Sequence, residues 1–513
     1  MEKPMARRDA VALVAICLAA LMFGLEISSV PVILPNVEQV LHADFSSVQW
    51  VMNAYTIACT TVLMAAGTLA DRYGRRRILL VSVLLFGVTS LICGLASDAL
   101  VLIVSRFAQG MSGGAMVICQ IAALSHQFQS GPARSKAFAA WGIIFGVGLG
   151  FGPIVGGAIV ALLNWTWVFL IQVPLAVLTA LLIVGSVDES SDPQARALDL
   201  PGILTLSLAV FGLTFFITQG PSLGFTSVIA VASIIIAASS FFVFLHVEKH
   251  AAHPMFDFSV FRIRAFSGAL YGSMGMNFSF WPLMIYLPIY FQAALGYGAV
   301  AAGMSLLAYT LPTLVVPPLA ERLSVRYQPR IVIPAGLCTI GLGLMLMKLG
   351  SSAGHASWLS MLPGCALAGV GLGLTNTPVS NTTTAAVPTA RAGMASGIDM
   401  SARLITLAIN IALMGFLLIE GIRAYLQRAA FSMADTSTLH AVAAQIAAGH
   451  ATGVSAEVAH AALVHGFGWV MLYGGLGAWV LAAASFLTFG PSPRHHPEAT
   501  SVATGADATP DRG

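Results

Sequence analysis

Two ionisable residues stand where such residues are costly. Glu26 lies inside an apolar run that begins at Val11, and Arg106 inside another that begins at Leu100. A charge at membrane depth is expensive, so its default reading is a place on an ion or proton pathway. Low-dielectric surroundings penalise the charged form of a carboxylate, which lets it take up and release protons. Helical counting brings the two residues to similar levels. At about 1.5 Å per residue, Glu26 is about 24 Å up its run and Arg106 about 9 Å below the outer end of its own. Both levels fall in the outer half of an apolar core about 30 Å thick. We read a carboxylate–guanidinium pair facing one cavity, with Glu26 binding and releasing protons. The plainer alternative is a structural carboxylate that Arg106 keeps ionised.

The elements that hold these residues must be membrane spans. The chain has 513 residues, of which 57% are hydrophobic and 9% charged, against roughly a quarter charged in a soluble domain. That shortage excludes a soluble enzyme, a disulfide scaffold and a nucleic-acid-binding domain. Barrel strands alternate in polarity, so continuous apolar runs exclude an outer-membrane barrel as well. Fourteen apolar blocks lie near 11–34, 50–70, 78–97, 100–122, 138–161, 166–186, 200–220, 226–246, 267–291, 299–320, 330–349, 358–378, 398–420 and 466–489. Lipid offers the backbone no hydrogen-bond partners, so each block is expected to be helical. The fold class is all-α integral membrane. The first block outruns a signal peptide and is followed by many others, so it reads as an uncleaved span. The six cysteines all lie inside blocks, without metal-ligand spacing. There is no G-x-x-x-x-G-K-[ST] run for ATP. With no nucleophile–base pair at depth either, we expect no enzyme, metal or cofactor.

Orientation follows from the basic residues. With the N-terminus inside, Lys348, Arg423 and Arg428 face out and Arg106 and Arg403 lie within blocks. Every other Lys and Arg then falls on the cytoplasmic side, with both termini. Arg403, with Asp399, begins the thirteenth block and reads as an interfacial cation near the cytoplasmic edge. The twelve histidines lie in loops, tails or block ends. His440, His450, His460 and His465 fall in the external loop 421–465 and form no metal template.

The chain also looks duplicated. Leu69-Ala70-Asp71-Arg72 closes block 2, and Leu319-Ala320-Glu321-Arg322 closes block 10. Arg134 and Lys136 before block 5 are echoed by Arg391 before block 13. This pairs blocks 1–6 with 9–14 and leaves 7 and 8 as an insert. The expected division is 1–190 and 251–490 as six-helix halves, 191–250 as a two-helix insert, and 491–513 as a disordered cytoplasmic tail. Secondary transporters are built from such repeats, with the substrate site between them near the midplane.

Gly67-Thr68-Leu69-Ala70-Asp71-Arg72-Tyr73-Gly74-Arg75-Arg76-Arg77 resembles motif A of the major facilitator superfamily. Arg106-Phe107-Ala108-Gln109-Gly110, with Gly113 and Gly114, is similar to its motif B. Gly142, Gly146, Gly150, Gly152-Pro153 and Gly156-Gly157 resemble motif C, the antiporter motif that marks its exporters. Leu25 to Pro35, Trp50-Val51 with Tyr55, Trp165-Thr166-Trp167 and Pro254 to Phe266 are similar to the fourteen-span drug:proton antiporters, the EmrB/QacA-like subfamily. Glu26 stands where that subfamily usually has Asp, and the second copy of motif A lacks its glycines. The resemblance implies a fourteen-helix major facilitator fold in the inner (plasma) membrane. It implies a proton-coupled antiporter that exports amphipathic or cationic molecules by alternating access. Gly67, Asp71, Arg72, Gly74, Arg75 and Arg76 would form a cytoplasmic gate. Gly146, Gly150, Gly152, Pro153, Gly156 and Gly157 would form a smooth helix between the halves. An exporter dedicated to one metabolite or siderophore, and proton-linked uptake, are the alternatives.

Substrate-cavity candidates are Met22 and Ser29, which share a face with Glu26, and Gln120, which shares one with Arg106. Asn53, Asn277, Trp281 and Asn376 join them as polar or amphipathic groups inside blocks. The expected partners are a small-molecule substrate, protons and the lipid bilayer, and no nucleic acid. A periplasmic adaptor and outer-membrane channel are left open.

Overall fold

A chain this apolar must satisfy its backbone hydrogen bonds internally, and it does so as helix. The computed structural model describes residues 7–128, 131–190, 200–250, 258–352, 357–387, 392–428, 436–448 and 454–490. Among them there is no strand. In chain order the helices are α1 (Arg7–Leu41), α2 (Phe45–Tyr73), α3 (Arg75–Gly94), α4 (Ala99–Gln127), α5 (Gly131–Leu162), α6 (Trp167–Leu170) and α7 (Gln172–Ser186). Then come α8 (Leu200–Leu223), α9 (Val228–His250), α10 (Arg264–Ile289), α11 (Ala299–Thr310), α12 (Pro312–Val315) and α13 (Pro317–Tyr327). The last are α14 (Pro329–Ser351), α15 (Trp358–Ala385), α16 (Ala392–Arg428), α17 (Thr436–Ala447) and α18 (Ala456–Phe489).

Ten of the described helices are long and apolar enough to cross a membrane, or twelve when each bent pair counts as one span. α2 and α10 are also long, at 29 and 26 residues, but carry more polar groups. Two helices begin at acidic caps. Asp44 accepts from the Ser47 amide at 2.8 Å and Asp98 from the Val101 amide at 2.9 Å. Each satisfies an amide that the first turn leaves without a partner. The tenth block is broken into α11–α13, with a 46° bend before Pro317. Pro312 and Pro317 each remove a helix donor there. α5 bends by 40° between Gly148 and Gly150. The segment expected as a loop at 421–465 is largely helical. α16 runs on to Arg428, α17 lies within the segment and α18 starts at Ala456. Alanine is the best helix former, and these stretches are rich in it. The predicted tail, 491–513, lies outside the described residues.

α1 packs on α5 and α7, and α4 on α2 and α3. A second set joins α10, α14, α15, α16 and α18. α8 and α9 pair with each other, and α8 lies on both α2 and α16. There Trp50 tilts over Phe211 at 5.5 Å, the Gln219 amide donates to Ser46 Oγ at 2.7 Å, and Phe225 meets Phe416 edge-on. The sets meet along α2–α16 and α1–α10, and α11, which lies on α15, packs against α5. Large apolar side chains such as Leu181, Leu204, Phe242 and Phe486 project outward, as a lipid-facing surface requires. One end of the bundle carries Arg8, Arg72, Arg75, Arg76, Arg77, Arg264, Arg322 and Arg326. We call it the basic end.

Candidate functional site

Glu26 and Arg106 meet. Arg106 Nη1 donates to Glu26 Oε1 at 2.5 Å, and neither side chain has any exposed surface. The pair joins α1 to α4. Arg106 Nε donates to the Val51 carbonyl on α2 at 3.1 Å, and Nη1 also donates to Gln109 Oε1 at 2.6 Å. Gln109 in turn donates to Ser90 Oγ on α3 at 2.8 Å. The second carboxylate oxygen of Glu26 accepts from the Gln172 amide on α7 at 3.2 Å. Five helices therefore converge on one ion pair. Such a pair depends on further hydrogen bonds to its remaining donors and acceptors, and of these Arg106 Nη2 alone among the guanidinium nitrogens has none. The guanidinium also lies 4.1 Å from the Tyr55 ring centroid and 5.8 Å from that of Phe169. A desolvated cation over an aromatic face gains about 2 kcal/mol.

Gln109 and Gln172 were missed as site residues in the sequence. Gln109 was legible, because residues three apart share a helix face with their neighbours. Gln172 was legible only as a lone amide in an apolar run. A row of rings was also missed. Trp141 stacks on Phe145 at 5.6 Å, Phe145 on Phe23 at 6.2 Å, and Phe23 tilts against Tyr55 at 6.4 Å. The row runs from α5 through α1 to the ring beneath Arg106.

The other cavity candidates divide. The Met22 carbonyl accepts from Gln172 at 3.3 Å, so Met22 adjoins the pair. Asn53 is fully buried two residues from Val51, with neither amide atom hydrogen-bonded. Ser29 donates to its own helix at the Leu25 carbonyl, 2.6 Å, and packs on Gly156. Gln120 is buried with an unpartnered amide, but it lies about 21 Å along α4 from Arg106. Asn277 donates to the Ser273 carbonyl one turn back at 3.0 Å, and Trp281 packs edge-on against Phe280. Neither reaches the pair.

Asn376 belongs to a second polar network, and here the structure departs from the expectation of a free interfacial cation. Arg403 is bound on three sides. Its Nε donates to Asp399 Oδ2 at 3.1 Å, Nη1 to Asn376 Oδ1 at 2.6 Å and Nη2 to Ser380 Oγ at 3.1 Å. Ser273 on α10 donates to Asp399 Oδ1. The block began later in the sequence reading than the helix does. α16 starts at Ala392, which puts Arg403 three turns inside it.

The gate motif turns sharply at Gly74, whose φ of 114° favours glycine. A side chain there would strike the Glu189 carboxylate. Glu189 accepts from the Arg76 amide at 3.1 Å and faces Arg77 at 3.6 Å, and the Arg75 amide donates to the Ser190 carbonyl at 2.9 Å. Arg76 also donates to the Val184 carbonyl. The arginine turn is thus tied to the segment after α7. Gly67 touches Ile118, Arg72 is exposed, and the side chain of Asp71 lies outside the described residues.

The glycines of α5 sort onto two faces. A methyl on Gly146 or Gly150 would press Leu314 of α12 at 2.8 or 2.9 Å. Methyls on Gly152 and Gly156 would press Ser28 and Ser29 of α1. The Pro153 carbonyl packs against Gly303 of α11, and Gly157 is buried. Thr310 Oγ1 of α11 donates to the Gly150 carbonyl at 3.0 Å, and Ser28 Oγ to that of Gly148 at 3.0 Å. Small residues let these helices approach closely.

Residues 16–411 match the family described as the Major Facilitator Superfamily. The chain belongs to the Major Facilitator Superfamily. It is 32% identical over 423 residues to the Multidrug resistance protein Stp of Mycobacterium tuberculosis, covering 82% of this chain and 78% of that one. It is 29% identical over 495 residues to the Tetracenomycin C resistance and export protein of Streptomyces glaucescens, covering 93% and 91%. Among solved structures it resembles a POT family transporter in complex with 5-aminolevulinic acid, with a TM-score of 0.56 at 14% identity, covering 85% and 93%. That likeness bears on fold alone. Membership in the superfamily makes this a multi-pass membrane transporter rather than an enzyme.

Proposed function

We propose that this superfamily transporter is a proton-coupled antiporter that exports amphipathic or cationic small molecules. In this reading it lies in the inner membrane with fourteen spans, both termini cytoplasmic, and 1–190 and 251–490 as halves that rock about the α5–α11 seam. The observation that carries the reading is the wholly buried Glu26–Arg106 pair, joined across α1 and α4 and backed by Gln109 and Gln172. A buried carboxylate that must be either paired or neutral is a proton switch. Protonating Glu26 removes the attraction between α1 and α4 while Arg106 keeps Val51, Gln109 and the Tyr55 ring. The row Trp141–Phe145–Phe23–Tyr55 offers flat apolar faces, which suit planar cationic or amphipathic molecules. The names of the relatives, multidrug resistance and drug export, point the same way.

The test is efflux of a panel of unrelated dyes from cells, with and without an uncoupler. Wild-type efflux stops when the proton gradient collapses, and Glu26→Gln abolishes it while the protein still reaches the membrane. Efflux that persists in uncoupled cells with ATP present overturns the coupling. Normal efflux by Glu26→Gln removes Glu26 from the coupling role.

A second reading is an exporter of one compound class. The relative that matches nearly end to end is named for one compound, tetracenomycin C. Transport of a single class from the panel would decide for it.

A further inference from the structure

We propose that Asp399 is a second proton-binding carboxylate, loaded from the basic end, so that the transporter binds protons at two depths. This deepens the proton-coupled reading above and rests on it for its role in transport. Along the helix axes Asp399 and Arg403 are about 10 and 16 Å from the start of α16, and Ser273 and Asn376 about 14 Å from the basic ends of α10 and α15. Glu26 and Arg106 are about 28 and 32 Å from the basic ends of α1 and α4 by the same count. The two carboxylates therefore occupy different levels.

Access differs too. Ser380, which binds Arg403, is exposed. Below it Asn381 donates to Glu321 of α13 at 3.1 Å, and both are exposed. A polar track thus leads from the basic end to Arg403 and then to Asp399.

The hydrogen bonds permit either charge state. With Asp399 ionised, Ser273 and Arg403 both donate to it. With Asp399 protonated, its hydroxyl can donate to Ser273 Oγ, because a serine hydroxyl both gives and accepts. Arg403 then keeps Asn376 and Ser380, so the guanidinium is not stranded. The guanidinium is not orphaned in either state, and only the Ser273 hydroxyl has to turn its own proton away from Asp399.

Few other charges surround the group. On α16 Arg403 is the neighbour, and α15 contributes only neutral partners. α10 carries Tyr271 and Arg264, and the latter lies toward the basic end against Gly490. α2 ends in Arg72 and Tyr73, while the side chain of Asp71 is outside the described residues. α8 has no charged residue, α17 carries His440, and Glu457, His460 and His465 of α18 lie near the opposite end. Among the described residues Arg403 is therefore the charged partner of Asp399.

Labelling with dicyclohexylcarbodiimide tests this. The reagent adds to a protonated carboxylic acid and rearranges to an N-acylurea, with the acid proton retained on nitrogen and no leaving group. Full-length protein in liposomes is treated across a range of pH, and modified peptides are mapped by mass. We expect modification at both Glu26 and Asp399, increasing as pH falls. Asp399→Asn abolishes it at the second site, Asp399→Glu restores it, and Arg403→Gln raises it. Glu26→Gln removes the first label and leaves the second. Modification of Glu26 with none at Asp399 overturns the inference and leaves the coupling role of Glu26 standing. Modification of Asp399 with none at Glu26 does the reverse. No modification at either site sinks both.

Discussion

The two ion pairs at depth each join a carboxylate to an arginine, but on different plans. Glu26 and Arg106 are 80 residues apart on separate helices and have no exposed surface. Asp399 and Arg403 are one turn apart on α16 and keep 7% and 11% of their side-chain surface. Forming the first pair draws helix against helix. The second forms within a helix and reaches its neighbours through neutral groups, Ser273, Asn376 and Ser380. Both arginines have partners that do not depend on the carboxylate, Val51 and Gln109 for Arg106 and Asn376 and Ser380 for Arg403. What separates the pairs is burial, because a charge left alone is costlier where no exposed surface remains.

The largest expected effect follows from that difference. Arg106→Ala leaves Glu26 buried without its cation and should cost about 3–5 kcal/mol. Thermal unfolding of the detergent-solubilised protein would show it, and transport would be lost as well. Adding Glu26→Gln should recover much of the stability, since no uncompensated charge then remains. A double variant no more stable than Arg106→Ala would mean that the pair is not the unit described here.

The next test concerns what lies between the sites. The α5 seam is closely packed, with Gly150 set against the Leu314 side chain. Gly150→Val should cost about 1–3 kcal/mol through overpacking. Leu314→Ala in the same chain should restore both unfolding temperature and transport. If Gly150→Val is neutral alone, the seam is looser than its contacts imply.

The location of the first site was legible in the sequence, because charge in lipid is rare and helical rise is fixed. Counting from block ends put Glu26 and Arg106 at similar levels, and the fold joins them. The helical class was legible for the same reason, since lipid leaves few alternatives. What could not be read was lateral placement. Gln172 reaches Glu26 from 146 residues away, and nothing in its own apolar run says which helix it faces. The partners of Arg403 could not be read because a charge near a block end names no neighbour in the sequence, whereas α16 begins at Ala392 and sets Arg403 against Asn376 and Ser380 of α15. The break of the tenth block was written in Pro312 and Pro317, but an apolar run hides prolines from hydropathy alone.

Arg403→Ala tests the role of exposure. Ser273 still donates to Asp399 and the site is not wholly buried, so the cost should be about 1–2 kcal/mol, less than that of Arg106→Ala in the same unfolding assay. An equal or larger loss would make the two pairs alike. Further out, Arg8 and Asp188 pair at 2.7 Å with 61% and 45% of their side chains exposed. Arg8→Ala should change stability by less than about 0.5 kcal/mol. The three arginine deletions thus test whether burial ranks the pairs.

The smallest effect lies outside the spans, where a titratable group is only partly buried. His440 on α17 is pushed below the ordinary histidine value of 6.5, first by burial, against the opposing pull of Glu420 and with a further push from Arg423. Glu420 and Arg423 themselves pair at 2.6 Å. A base whose folded value is lowered binds fewer protons folded than unfolded. Stability therefore rises with pH between the folded and unfolded values. The contribution is full above 6.5 and is lost as pH falls below it toward the folded value. Hydrogen exchange in α17, corrected for intrinsic rates, should quicken between about pH 7 and about pH 5. His440→Asn should flatten that dependence. Glu420→Gln should steepen it, because the group that holds the proton on His440 is gone. If the exchange does not respond to His440→Asn, the pH sensitivity of this end of the bundle belongs to another group.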